Sequence, residues 1–216
     1  MLFILWLPGE ARLSLWIALS AQRGLVGLLF LFSLVTLSLI WSVGQRWDSR
    51  IFLLFNQRGY PEWLDRFMWL FTQLGNMLTA IIAAFLFFLL DQRRLSVEII
   101  FGTLTLWLLV ETIKVLAGRD RPFHTFEDTR IVGWRERGDS FPSGHTSQIF
   151  FLATLLTLHF NIGLGTGLAL YAVAILVGFT RIYVGAHYPR DVFGGAVLGS
   201  IWGILAMLTN PAWLAG

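Results

Sequence analysis

Cysteine is absent from the chain. That excludes disulfides, thiolate zinc sites and a thiol nucleophile, and it leaves the redox compartment open. Charge is also scarce. Asp, Glu, Lys and Arg make up 13% of the residues, where a soluble domain carries about 25%. The net charge of +3 is small and no run of five or more basic residues occurs, so nothing points to a nucleic-acid partner. No repeat, low-complexity tract or second domain is visible, and residues 1–216 read as one membrane-embedded domain. What the chain has in abundance is apolar sequence: 56% of its residues are hydrophobic and the mean hydropathy is +0.69. That balance belongs to an integral membrane protein.

Apolar runs of about 18–20 residues cross a bilayer as helices. Six candidates occur, at 24–43, 67–90, 95–116, 146–160, 164–179 and 192–208. The expected fold is all-α, an integral membrane bundle of six transmembrane helices. The fourth and fifth runs are short and must borrow flanking polar residues or lie inside the protein; the fourth is expected to start near Ser143. The turn HFNIG at 159–163 is tight, as antiparallel neighbours require. Residues 1–23 read differently. Their first apolar run is too short for a signal-peptide core with a cleavage site. The stretch ARLSLWIALSAQRG then places apolar residues at helical spacing. An N-terminal interfacial amphipathic helix is expected there, lying on the membrane. Two connections are long, 44–66 and 118–142, and long connections often carry function. Six spans put the loops after spans one, three and five on one side and both termini on the other.

Ionisable residues within spans are costly and point to function. Glu111 and Lys114 are three residues apart and share a helix face; they read either as a self-neutralising pair or, for Lys114, as a ligand-binding cation. Arg121 follows seven residues after Lys114, and Pro122 ends the helical run. Next comes Pro142-Ser143-Gly144-His145 ahead of the fourth span. Ser is a preferred N-cap, a helix N-terminus attracts anions, and Gly144 lets backbone approach a ligand closely. The same string also reads as plain capping. The third cluster is TRIYVGAHYPRDVFGG, 180–195, with Arg181 closing the fifth span. His187 and Asp191 lie four apart, with Pro189 suited to a first helical turn. A carboxylate on one imidazole nitrogen leaves the other free as base or nucleophile; the alternative is a pair of surface polar residues. All three clusters fall on one side of the membrane. Cations beside a His–Asp pair suit a phosphate ester. No carboxylate cluster for magnesium is evident, so a metal-independent reaction without a cofactor is expected.

These residues resemble the type 2 phosphatidic acid phosphatase superfamily. Lys114 to Pro122 is similar to its K-x6-R-P motif, Pro142 to His145 to P-S-G-H, and Arg181 to Asp191 to R-x5-H-x3-D. The motifs occupy 114–191, in order, and the six-span layout extends the likeness over most of the chain. Thr180 stands where the family commonly has Ser, and Phe123-His124 where a second Arg-Pro often follows. The resemblance implies that Lys114, Arg121 and Arg181 bind phosphate oxygens, helped by Ser143 and the Gly144 backbone. It implies that His187 attacks phosphorus to form a phosphohistidine, that Asp191 orients it, and that His145 protonates the leaving oxygen and then helps activate water. It implies a membrane lipid phosphate as substrate: a phosphomonoester such as phosphatidylglycerophosphate, phosphatidic acid or lipid A, or a pyrophosphate such as undecaprenyl pyrophosphate. A lipid phosphotransferase of the same superfamily, or a catalytically silent transporter or scaffold, is the alternative. Arginine counts outside the spans put the catalytic loops in the cytoplasm by the positive-inside rule. The resemblance puts them on the periplasmic or external face of a bacterial cell membrane, which is the expectation kept here.

Overall fold

The computed structural model describes residues 21–208. The interfacial helix expected over 1–23 falls almost wholly outside the described residues. Within them all regular secondary structure is helical, without a strand. In order the helices are α1 (Arg23–Ser38), α2 (Ser42–Asn56), α3 (Glu62–Thr72) running into a 3-10 turn (Gln73–Gly75), α4 (Met77–Leu89), α5 (Arg93–Ala117), the short α6 (Pro122–Thr125), α7 (Gly144–His159), α8 (Leu164–Tyr183) and α9 (Pro189–Leu208). Three segments are long and apolar enough to cross a membrane alone: Arg93–Thr125, which contains α5, then α8 and α9. The pairs α1–α2, bent by 92°, and α3–α4, bent by 59°, reach that length only together. By length the described residues therefore hold three to five spans, against the six expected. The architecture is that of a multi-pass membrane protein.

Two departures from the expected layout have local causes. The stretch 44–66, expected as a connection, is mostly helix. Asp48, Phe52 and Asn56 recur every four residues and form the buried stripe of α2, while Trp47, Ile51 and Leu54 stay exposed. Such mixed composition escapes a search for apolar runs but is what an amphipathic helix needs. The expected span 67–90 breaks at Gly75-Asn76. The Asn76 side chain caps α4 by accepting from Leu78 N–H at 2.5 Å, and a Cβ on Gly75 would lie 2.6 Å from the His145 carbonyl oxygen. The break thus lets the chain touch the first turn of α7.

At 16 residues α7 is too short to count as a span, and most of its sides are covered. Phe151, Leu152 and Leu155 join Ala80, Ala84, Leu95, Ile99, Leu106, Val110 and Leu198 in the largest buried apolar cluster, which ties α4, α5, α7 and α9 together. Against α9 the approach is closer still. A Cβ on Gly195 would stand 2.6 Å from the Ser143 oxygen, and one on Gly199 2.1 Å from the Ser147 oxygen. Small residues let helix backbones meet where water supplies no driving force between them. This contact fixes the N-terminus of α7 against the N-terminus of α9, where the second and third sequence motifs lie.

Candidate active site

Lys114 sits in the last turn of α5, and Gly118 ends that helix in a left-handed conformation, with its N–H bonded to the Lys114 carbonyl. The chain then turns to deliver Arg121, which is 1% exposed. Arg121 Nε donates to Gly138 O at 2.8 Å, Nη2 to Arg137 O at 3.1 Å and Nη1 to Ala186 O at 3.1 Å. These bonds fold the long 118–142 connection over the end of the bundle. From the other side, α8 closes with Arg181, also 1% exposed, whose Nη1 donates to Thr72 Oγ1 at 2.7 Å. Between Arg181 and His187 the chain must reverse. Gly185 makes this possible with φ of +87°, and a Cβ there would lie 2.5 Å from the Arg130 carbonyl oxygen. A side chain is excluded on both counts.

A cavity of about 440 Å³ opens among these elements, lined by Lys114, Arg121, Gly144, His145 and Arg181. His187 meets the same cluster: its Nε2 lies 3.2 Å from Arg121 Nη1. Of the eight site residues expected from sequence, five line the cavity and His187 adjoins it. Asp191 is fully buried behind His187, its Oδ2 3.8 Å from His187 Nδ1. Ser143 is buried outside the lining, at the N-cap of α7, where its Oγ accepts from Thr146 Oγ1 at 2.9 Å. Lys114 Nζ donates to Glu111 Oε1 at 2.7 Å, so the pair foreseen from their spacing forms and both members line the cavity. His124 is exposed.

Four residues of this region were not anticipated from sequence. Glu136, in the long connection, has its carboxylate in the middle of the cations. Oε2 lies 2.9 Å from Arg121 Nη1 and Oε1 accepts from Arg181 Nη2. His187 Nε2 is 3.6 Å and His145 Nδ1 3.8 Å from its oxygens. Burial alone would raise this carboxyl, but Arg181, followed by His187 and His145, holds it far below the ordinary carboxylate range. Behind His187, Ser140 Oγ stands 3.4 Å from Nδ1 and donates to Asp191 Oδ2 at 2.6 Å. Arg119 Nη1 donates to Asp191 Oδ1 at 2.5 Å and its Nη2 to Asp48 Oδ2 at 2.5 Å. No local pattern marks these four. Each has at least one partner 45 or more residues away in the chain.

Chemically, the cavity joins fixed cations to a buried imidazole and a second imidazole at a helix N-terminus. Arg181 Nε is buried without a hydrogen-bond partner among the described residues. A buried, unsatisfied guanidinium N–H is costly and calls for an acceptor. An anion with several oxygens, larger than a carboxylate, meets that need.

Comparison with known proteins agrees with the geometry. The chain is 36% identical over 109 residues to a lipid A 1-phosphatase of Rhizobium johnstonii, covering 47% of this chain and 42% of that protein. It is 41% identical over 66 residues to the undecaprenyl-diphosphatase BcrC of Bacillus subtilis, covering 31% of this chain and 33% of that one. The chain thus spans less than half the length of these curated relatives. The crystal structure of Aquifex aeolicus LpxE superposes with a TM-score of 0.65 at 31% identity, over 74% of this chain and 93% of that one. The PAP2 superfamily matches residues 95–214, a stretch that holds all three motifs and more than half of the sequence, and the chain belongs to that superfamily.

Proposed function

We propose that the protein is a membrane lipid-phosphate phosphatase that cleaves a phosphomonoester or pyrophosphate through a phosphohistidine, without a metal ion. The observation that carries the reading is Glu136. A carboxylate bound by Arg121 and Arg181, with both histidines within 3.8 Å, marks where an anionic group with several oxygens sits. A phosphoryl group in that place takes over the Glu136 contacts and adds the open Arg181 Nε. Positioning and charge stabilisation of this kind do most of the work in phosphoryl transfer.

His187 Nε2 attacks phosphorus as the bond from phosphorus to the lipid oxygen breaks. His145 donates its proton to that oxygen, and the lipid alcohol or lipid phosphate leaves. Water then attacks the phosphohistidine, His145 takes one of its protons, the N–P bond breaks and inorganic phosphate departs. Asp191, through Ser140, holds the His187 Nδ1 proton. Lys114, Arg121 and Arg181 balance the oxygens, and the Gly144 backbone closes the cradle. Trp69, Met77, Leu106, Trp107 and Val110 line the same cavity and suit the apolar part of a lipid. The names of the relatives favour a lipid A phosphate or a polyprenyl pyrophosphate as the substrate class. We assign the site to the periplasmic or external face, a reading that the family resemblance favours.

Phosphate release tests the reading. Detergent-solubilised protein is offered a phospholipid monophosphate, a polyprenyl pyrophosphate and a lipid A derivative. Turnover of at least one is expected to persist in EDTA and to be inhibited by orthovanadate, which mimics five-coordinate phosphorus. Loss of turnover on chelation, restored by magnesium, overturns the metal-free mechanism. Absence of turnover on all three overturns the phosphatase reading.

A further inference from the structure

We infer that Arg119, anchored by Asp48, is a positioning residue that holds the Asp191 carboxylate in register with His187. Arg119 lies at an unspecified position of the first motif, between Lys114 and Arg121. Its side chain points away from the phosphate cradle and bridges two buried carboxylates. Asp191 is 0% and Asp48 3% exposed. Each receives one Arg119 nitrogen at 2.5 Å. A planar guanidinium holds two acceptors in a fixed geometry that a lysine ammonium cannot reproduce. The Arg119 carbonyl accepts the Ser140 N–H at 2.7 Å, so one residue fixes both groups on the Nδ1 side of His187. Its guanidinium carbon also lies 4.5 Å over the Tyr188 ring.

The arrangement has a mechanical reason. Asp191 Oδ2 is already taken by Ser140 Oγ at 2.6 Å and by the Tyr188 N–H at 2.8 Å. A bond to Oδ1 anchors the second oxygen as well and locks the plane of the carboxylate, and Arg119 supplies it. Arg119 in turn is set by Asp48, which also accepts from Arg190 Nε at 2.6 Å and from the Arg190 backbone N–H at 3.1 Å. The sequence Asp48, Arg119, Asp191, Ser140, His187 therefore links α2 to the nucleophile. This explains why the amphipathic α2 buries an acidic residue in its inner stripe.

The inference rests on His187 being the nucleophile, and it predicts a loss in kcat with the cradle intact. A displacement of about 1 Å at a reacting group costs on the order of 100-fold, so Arg119→Met is expected to lower kcat by about that factor. Arg119→Lys, which keeps charge but not the fork, is expected to lose about tenfold. KM and the inhibition constant of inorganic phosphate, which read the cradle, are expected to stay within about threefold, well inside one tenfold affinity step. Asp48→Asn is expected to lower kcat alone and to add nothing in the Arg119→Met background, as residues acting through one another do.

Turnover by the wild type with kcat undiminished in Arg119→Met overturns this inference alone; no turnover by the wild type overturns the phosphatase reading instead. Should Arg119→Met fail to fold, Arg119→Lys carries the test. A change in KM or phosphate inhibition larger than the change in kcat reassigns Arg119 to the cradle, and failure of both variants to bind phosphate makes the link purely structural; either result overturns the proposal.

Discussion

The two ring nitrogens of His187 face regions built on opposite plans. On the Nε2 side a carboxylate, Glu136, lies among Arg121, Arg181 and His145, and it is 27% exposed on a connection outside the helices. On the Nδ1 side Ser140, Asp191 and Asp48 are 0–3% exposed, and Asp191 and Asp48 are set in helices. Both regions pair carboxylates with arginines. The first pairing can exchange its anion, because Glu136 is held outside the helices and is reached by water. The second is permanent, because any motion there would leave a buried charge unpaired at a cost of several kcal/mol. A phosphoryl-transfer site needs both: one face that trades anions each turnover and one that never does.

The largest effect comes from removing the ring that joins the regions. His187→Ala is expected to abolish turnover on every substrate and to trap no acid-labile phosphoenzyme, leaving the residual rate that binding and electrostatics supply. His145→Ala is expected to lose about a hundred- to ten-thousandfold, the range for a general acid. That loss depends on the leaving group. A lipid alkoxide leaves poorly without a proton, while a nitrophenolate or the inner phosphate of a pyrophosphate leaves more easily. His145→Ala should thus retain more activity on nitrophenyl phosphate than on a lipid monophosphate. If His187→Ala traps labelled phosphoenzyme and His145→Ala does not, the two roles are reversed.

Legibility in the sequence follows the same division. Lys114, Arg121, Gly144, His145, Arg181, His187 and Asp191 could be assembled because each lies at or beside a helix end within one of three short motifs, which span topology and the family resemblance bring to one side of the membrane. Pro189 opening α9 and Gly144 opening α7 fall where capping rules put them. Glu136 could not be assembled, because it lies in a connection with no periodicity to orient it. Asp48 was hidden for a different reason: its helix has too little apolar sequence to register as a span, and its burial depends on Arg190 and Arg119, 142 and 71 residues away. The break between α3 and α4 did leave a signal, Gly75-Asn76 within an apolar run, and its cause is the His145 carbonyl it packs against.

Glu136→Gln sharpens the contrast between exchangeable and fixed anions. With the carboxylate competing for the cations, the cradle is open for only part of the time, and apparent affinity falls by that fraction. Removing the charge is expected to tighten orthovanadate inhibition by about tenfold. Weaker inhibition would instead make Glu136 part of the anion site. The stability effect has the opposite direction. The Glu136 carboxyl is held far below its ordinary value of 4.5, so below that pH the unfolded chain takes up a proton that the folded chain does not. The stabilisation is present above pH 4.5 and drains away as the pH falls below it. Thermal unfolding in detergent should therefore show a steeper acid decline for the wild type than for Glu136→Gln.

The smallest effect is expected at Glu111, a carboxylate that lines the cavity yet belongs to neither region. It accepts from Lys114 Nζ at 2.7 Å, and at 45% exposure its charge is well screened by solvent. Gln at this position still offers Lys114 an acceptor oxygen, so the lysine keeps its direction and loses only a partner charge. A cation relieved of that partner binds phosphate no worse. Glu111→Gln is thus expected to reduce turnover by less than about tenfold, or about 1.4 kcal/mol of barrier. The check is kcat for a lipid monophosphate and for nitrophenyl phosphate, normalised to folded protein. A loss on the order of a thousandfold on both would move Glu111 into the catalytic set. It would also mean that the cavity has a working carboxylate besides Glu136, and that an anion lining it need not be one that the substrate displaces.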